Sequence, residues 1–213
     1  MEIPLILKLK KKIHRDIAEV QDIIVRELYN LFDKAVLHGG TAVWRCYDGN
    51  RFSEGIDVYL TKNNRKINDL FEILKKKGFI INKKKIGEKS LFSVLTFNGV
   101  VVRFEALFKM PKKIILKEYK TSDGNLISVY TLSPEGLIEE KISAYLARIK
   151  IRDLYDIFFL LRYTKDKRKI SKDIERLIRN FKKPADEEDL RILIISGIIP
   201  GVYEMLDYIK RET

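Results

Sequence analysis

LHGGTAVWRCYDGNRFSEGIDVYL, residues 37–60, sets two adjacent glycines after an apolar run and then brings one carboxylate onto a second apolar run. KAVLH reads as a short strand running into a glycine turn. TAVWRCY reads as a short helix stopped by Asp48 and Gly49, and IDVYLT as a strand. Glycines between a strand and a helix let the backbone approach a phosphate closely, and the N–H groups of the helix start then face the anion. Thr41 adds a hydroxyl. Glycine pairs are also common in plain turns, so the weight falls on what surrounds this one.

Outward from this stretch the pattern is first mixed and then helical. Ile13, Ile17, Val20, Ile24 and Leu28 mark one helical face within residues 8–31. NDLFEILKKKGF is an amphipathic helix with Gly78 at its stop. FIINKKKI, SLFSVLTF, VVRFEALF, KKIILKEY and LISVYTL read as strands, with Asn98-Gly99 as a hairpin turn. SPEGLIEEKISAYLARI starts a helix, with Ser133 at the N-cap, Pro134 at the first position and Glu135 and Glu139 in the early turns. RDLYDIFFLLRY, ISKDIERLIRNF, DEEDLRILIIS and GVYEMLDYIKR continue as helices. ILIISGIIPGV, the longest apolar run, reads as a buried helix and a turn, too broken to cross a bilayer. An α/β domain over residues 1–131 followed by an all-helical domain over 132–213 is therefore expected, packed around a cleft.

The 213 residues carry a net charge of +12. Lysines cluster in KLKKK near residue 10, in KKK at 75–77 and 83–85, and in KDKRK near 167. Such a surface attracts polyanions by counterion release. A thermostable Lys/Glu-rich surface is the competing explanation, and the Ile-rich, Gln-poor composition speaks for it. The single cysteine, Cys46, excludes an intramolecular disulfide and a cysteine zinc cluster, and fits a reducing cytoplasm. MEIPLILKLKKKIHRD does not read as a signal peptide, because its basic cluster follows the apolar run. His38 reads as a packed strand residue. Cys46, Trp44, Tyr47 and Phe52 read as core.

Phosphoryl and nucleotidyl transfer need a divalent ion, usually Mg²⁺, held by a few oxygens beside a triphosphate. Asp57 on one strand and Glu105 on a later one are candidates for that work. In the helical half, Lys141, Arg148 and Arg152 would share one face of a continuous helix. Asp153 and Asp156 would lie apart from a buried side of Leu154, Ile157, Phe158 and Leu161. Taken alone, these charges also read as surface ion pairs, for example Arg152 with Asp156.

GGTA, RFSEGID, RFEAL and EKISAYLARIKIRDLYDIFFL, in this order, resemble the AbiEii/MenT family of nucleotidyltransferase-like toxins within the DNA polymerase β-type superfamily. The resemblance covers about residues 36–161. It implies a nucleotidyltransferase-like mixed β-sheet with flanking helices. Gly39, Gly40 and Thr41 match the phosphate-binding turn, and Arg51 and Ser53 the approach to the metal strand. Asp57 matches the second acid of D-x-D, and Glu105 the lone later acid. Lys141, Ala144 and Arg148 match the third motif, and Asp153 and Asp156 the fourth. The first D-x-D position holds Gly55. Glu54 is adjacent, but strand alternation turns it to the opposite face.

The resemblance implies Mg²⁺-dependent transfer of a nucleotide from an NTP to an acceptor, RNA such as tRNA, by the toxin of a toxin–antitoxin pair. Asp57 and Glu105 would hold the metal, and Lys141, Asp153 and Asp156 would join them in catalysis. Gly39, Gly40, Thr41, Arg51, Ser53, Lys141, Arg148 and Arg152 would hold the nucleotide. A cognate antitoxin would be a partner, with no membrane involved. The alternative is a nucleotide-, RNA- or protein-binding module that lost metal chemistry with the acid at position 55.

Overall fold

The computed structural model describes residues 4–212. Within them, β1 (Val36–His38), β2 (Ile56–Tyr59), β3 (Ile80–Ile86), β4 (Ser90–Phe97), β5 (Val100–Leu107), β6 (Ile114–Lys120) and β7 (Leu126–Leu132) form a single sheet. Its order is β3-β4-β5-β2-β1-β7-β6. It is mixed: β2 runs parallel to β5 and β1 to β7, while the other neighbours are antiparallel. Helices α1 (Leu5–Lys8), α2 (Lys12–Leu31), α3 (Gly39–Cys46) and α4 (Asn64–Lys76) accompany the sheet. Helices α5 (Pro134–Arg148), α6 (Ile151–Leu160), α7 (Ser171–Arg179), α8 (Asp189–Leu193) and α9 (Val202–Arg211) follow it.

Side-chain period explains the elements. In β5, Val100, Val102, Phe104 and Ala106 are buried, while Val101, Arg103 and Leu107 face solvent. A one-residue slip would expose that apolar set, so the core fixes the register. In α2, Ile17, Val20, Ile24 and Leu28 are buried, whereas Ile13 at the outer end is 51% exposed. Asn98 (φ 48) and Gly99 (φ 78) make the expected tight turn between β4 and β5. The Asn63 side chain caps α4, and the Ser133 side chain caps α5. Trp44, Tyr47 and Phe52 pack in the core as expected, and so does Cys46, whose thiol burial pushes up to about 12.

Three expectations fail, each for a tertiary reason. First, α5 and α6 are not one helix. Ile149 takes a left-handed conformation (φ 50) after Arg148 and turns the chain, so Arg152 sits on the second helix. Second, α6 is buried nearly all round. Asp153 and Asp156 are fully buried beside Leu154 and Ile157, and Phe158 is one of its partly exposed positions. Third, residues 192–202 do not form a buried helix and a turn: only the ends of the run are helical, and all of it but Val202 is partly or fully exposed. Helix α8 ends at Leu193, Ile194 forms an isolated bridge to Arg51, and Ile198 is 92% exposed. The run instead lies along residues 50–52, with Phe52 N–H donating to the Leu193 carbonyl and Ile195 N–H to the Asn50 carbonyl.

Candidate active site

The sheet brings β1, β2 and β5 together, and with them the chemistry. Parallel pairing of β2 with β5 sets Asp57 directly beside Glu105, and antiparallel pairing sets His38 beside Asp57 on the other flank. Cross-strand partners point to the same face. The carboxylates thus lie side by side although 48 residues separate them in sequence. A cavity of about 890 Å³ opens over them.

The glycines are needed where they stand. Gly39, the first residue of α3 directly after β1, takes φ +70, which L side chains rarely adopt, and a Cβ there would run into the Asp57 carboxylate. A Cβ on Gly40 would come 2.6 Å from the Arg51 guanidinium and 2.7 Å from the Ser53 hydroxyl. No separate turn intervenes: α3 starts on Gly39 itself, and Gly39 and Gly40 line the cavity. Thr41 is fully buried and does not line it; its hydroxyl donates to the Gly55 carbonyl. Gln21 from α2 donates to the Ser53 carbonyl at 2.8 Å, so the 53–55 loop is held from two sides.

The opposite wall comes from the helical half. Lys141 is almost buried and lies 2.6 Å from Asp156 and 3.5 Å from Asp153. Arg51 reaches Asp156 through two hydrogen bonds of 2.8 Å, and Arg148 reaches Asp153 through two of 2.7 and 2.8 Å. Three cations thus surround two buried carboxylates. Burial opposes ionisation of Asp156, but Arg51 and Lys141 hold its carboxyl below the usual range. Asp153 and Asp156 do not line the cavity; they fix Arg51, Lys141 and Arg148, which do. Arg152 also lines it, and burial together with nearby Arg148 holds its guanidinium below the usual value. Arg51 and Arg103 add to that crowding. Clustered guanidiniums at a cavity wall are relieved by an anion.

At Glu105, burial comes first and the Asp57 charge second in raising the carboxyl above its ordinary value, against Arg103 and His38. A carboxyl raised in the folded state costs stability once ionised. The penalty is absent below the ordinary value of 4.5 and grows as pH rises through the raised one. Glu105→Gln is therefore expected to melt higher than wild type at neutral pH. The difference should disappear in melting curves recorded below pH 4.5.

These side chains fit what the comparisons find. The Nucleotidyl transferase AbiEii toxin family, of type IV toxin–antitoxin systems, matches residues 22–200. The chain belongs to this family. Among solved structures, a candidate nucleotidyltransferase from H. pylori is similar at TM-score 0.64 and 21% identity, over 95% of each chain. JHP933 from Helicobacter pylori is similar at TM-score 0.59 and 20% identity, over 92% of this chain and 91% of that one. MenT4, a nucleotidyltransferase toxin from Mycobacterium tuberculosis, is similar at TM-score 0.61 and 14% identity, over 93% and 82%. These likenesses support the nucleotidyltransferase-like fold. Among curated protein sequences, nothing matches the chain.

Gly55 stands where the resemblance in the sequence leads one to expect the first acid of D-x-D. The residue lies in a bend just before β2, so strand alternation does not govern Glu54, which is exposed at the cavity rim. A Cβ at Gly55 would meet the Arg103 carbonyl at 3.6 Å and its guanidinium at 4.0 Å, ordinary contacts. Neither backbone nor space demands glycine there. Among the described residues no group of three or more His, Cys, Asp or Glu is arranged to hold a metal ion. The pair Asp57 and Glu105 offers hard oxygen donors, which suit one Mg²⁺ that keeps several waters.

Sequence reasoning missed part of the cavity. His38 is not a plain packed residue: its ring stacks on Tyr59 at 3.9 Å and its Nδ1 lies 3.1 Å from Glu140. Tyr59 also donates to Glu140, and all three line the cavity. Lys109, Lys112 and Lys113, after β5, line its far rim. Glu140 immediately precedes Lys141 in a motif already singled out, which was the one available signal. Among the described residues no helix is long and apolar enough to cross a membrane.

Proposed function

We propose that this family member is a metal-dependent nucleotidyltransferase that moves a nucleotide from an NTP to an RNA acceptor such as tRNA, as a toxin restrained by a cognate antitoxin. One observation carries the reading: the paired carboxylates Asp57 and Glu105 line one cavity together with Gly39, Gly40 and the cations Arg51, Lys141, Arg148 and Arg152. Such a cavity suits a triphosphate whose reacting phosphorus lies near the carboxylates. Gly39 and Gly40 allow the phosphates to approach the backbone, and Ser53 offers a hydroxyl. Lys141, Arg148 and Arg152 balance the remaining charge, while Asp153 and Asp156 hold the first two in place. Mg²⁺, when bound by Asp57 and Glu105, would supply charge neutralisation at the reacting phosphate. Glu105, on the strand next to Asp57, would share the metal with it.

The net charge of +12 favours a polyanionic acceptor. The second reading, a binding module without chemistry, rests on Gly55 alone. Labelled-NTP transfer onto total tRNA in Mg²⁺ separates the two. Transfer by wild type supports the enzyme, and transfer only by Gly55→Asp supports the module. Because the pocket accommodates a side chain at 55, Gly55→Asp is expected to fold normally. It should lower the half-saturating Mg²⁺ concentration about tenfold, the low end of what a supporting carboxylate gives a metal site. An unchanged Mg²⁺ titration would mean that Arg103 neutralises the new acid.

A further inference from the structure

The lysines at 83–85 divide between the two faces of the sheet. Lys84 lies 4.3 Å from the Phe71 ring and 2.9 Å from Asn68, on the side of α4. Lys83 and Lys85 take the other side, where Lys83 lies 5.3 Å from the Phe92 ring. The ladder carries this face straight to the carboxylates. Lys85 pairs with Phe92, Phe92 with Glu105, and Glu105 with Asp57. In the neighbouring row, Lys83 pairs with Val94, and Val94 with Arg103. The reverse face, with Leu91, Leu95, Val102 and Phe104, is buried. On the near face Lys83 and Lys85 are exposed, Val101 is 54% exposed, Arg103 keeps half its side chain in solvent, and Phe92 and Val94 are partly exposed.

We propose that this face of β3, β4 and β5 is the platform on which a single-stranded RNA acceptor lies, one base stacking on Phe92 with flanking phosphates on Lys83, Lys85 and Arg103. The inference rests on the proposed transfer reaction, and in-line displacement gives it direction. The attacking hydroxyl approaches opposite the leaving pyrophosphate. Gly39 and Gly40 follow β1, on one side of Asp57, whereas Glu105 lies on the other side, next to Phe92. A triphosphate seated over the glycines therefore leaves the β5 side for the acceptor. An aromatic ring between cations, continuous with the reacting centre, is what a strand with splayed bases recognises. The cations are opposite in charge to the phosphates they would hold.

The test uses the full chain and a fluorescein-labelled single-stranded RNA of about eight nucleotides, within the usual site size for such surfaces. Phe92→Leu is expected to weaken binding about tenfold by removing one stacked base. The double variant Lys83→Gln, Lys85→Gln should flatten the log–log salt dependence by about 1.4, two phosphate contacts' worth for a single strand. Lys75→Gln with Lys76→Gln removes the same charge from α4, across the sheet, and should change neither. Melting curves confirm that each variant folds, and the thermal shift produced by an NTP should stay as in wild type. If both platform variants bind RNA like the α4 control, the platform is wrong and the face serves a protein instead. If NTP shifts wild type but RNA does not bind, the platform falls while the nucleotide site stands. If neither binds, the nucleotidyltransferase reading falls with it.

Discussion

Asp156→Ala is expected to lower unfolding stability by about 3–5 kcal/mol, the cost of breaking a buried ion pair from one side. Both oxygens of this fully buried carboxylate are used: Arg51 takes one each through Nε and Nη2 at 2.8 Å, and Lys141 lies 2.6 Å from Oδ2. Truncation leaves Arg51, only 4% exposed, without its partner and Lys141 with Asp153 alone. Urea unfolding measures the loss. Its pH dependence has a definite sign. The folded carboxyl is held below its ordinary 3.8, so its contribution is complete above that value and fades as pH falls through the lower, folded one. The gap between wild type and Asp156→Asn should therefore be full at neutral pH and close only in strong acid. A loss under about 1 kcal/mol, the typical size of an exposed pair, would mean that water reaches the network. Because Arg51 and Lys141 line the cavity, NTP binding should weaken in the same variant.

Asp57→Asn is expected to abolish nucleotide transfer while leaving the melting temperature near that of wild type. The substitution keeps the shape of the side chain and removes a charge beside Glu105. If the carboxylate holds the charge-neutralising ion, its loss raises the barrier by about 4 kcal/mol, or about 10³-fold in rate. Single-turnover transfer measures this directly. Glu54→Gln, changing an exposed acid at the cavity rim, serves as the control and should transfer normally. Full activity in Asp57→Asn would remove the paired carboxylates from the mechanism.

Local signals read from the chain were sound where they acted over a few residues. The strand read in VVRFEALF, the Asn98-Gly99 turn and the Ser133 cap each correspond to an observed element. So did the glycines, because only a residue without Cβ fits against Asp57, Ser53 and Arg51. The charged residues of the helical half were found but misplaced. Their spacing suggested one continuous face, yet Ile149 turns the chain, and Asp153 and Asp156 lie beneath the cavity wall instead of on it. The roles of His38, Tyr59 and Glu140 left almost no local trace, since each depends on a partner distant in sequence.

The sequence by itself determined the elements, their order and the family motifs, because propensity, capping and hydrophobic period are properties of neighbours along the chain. Only the tertiary structure decided that β2 lies parallel to β5, that Asp57 therefore meets Glu105, and that Arg51 reaches across 105 residues to Asp156. Those pairings are set by burying both the sheet's core face and the helical half in one apolar cluster. No window of the sequence contains that condition, because it is satisfied by the whole chain at once.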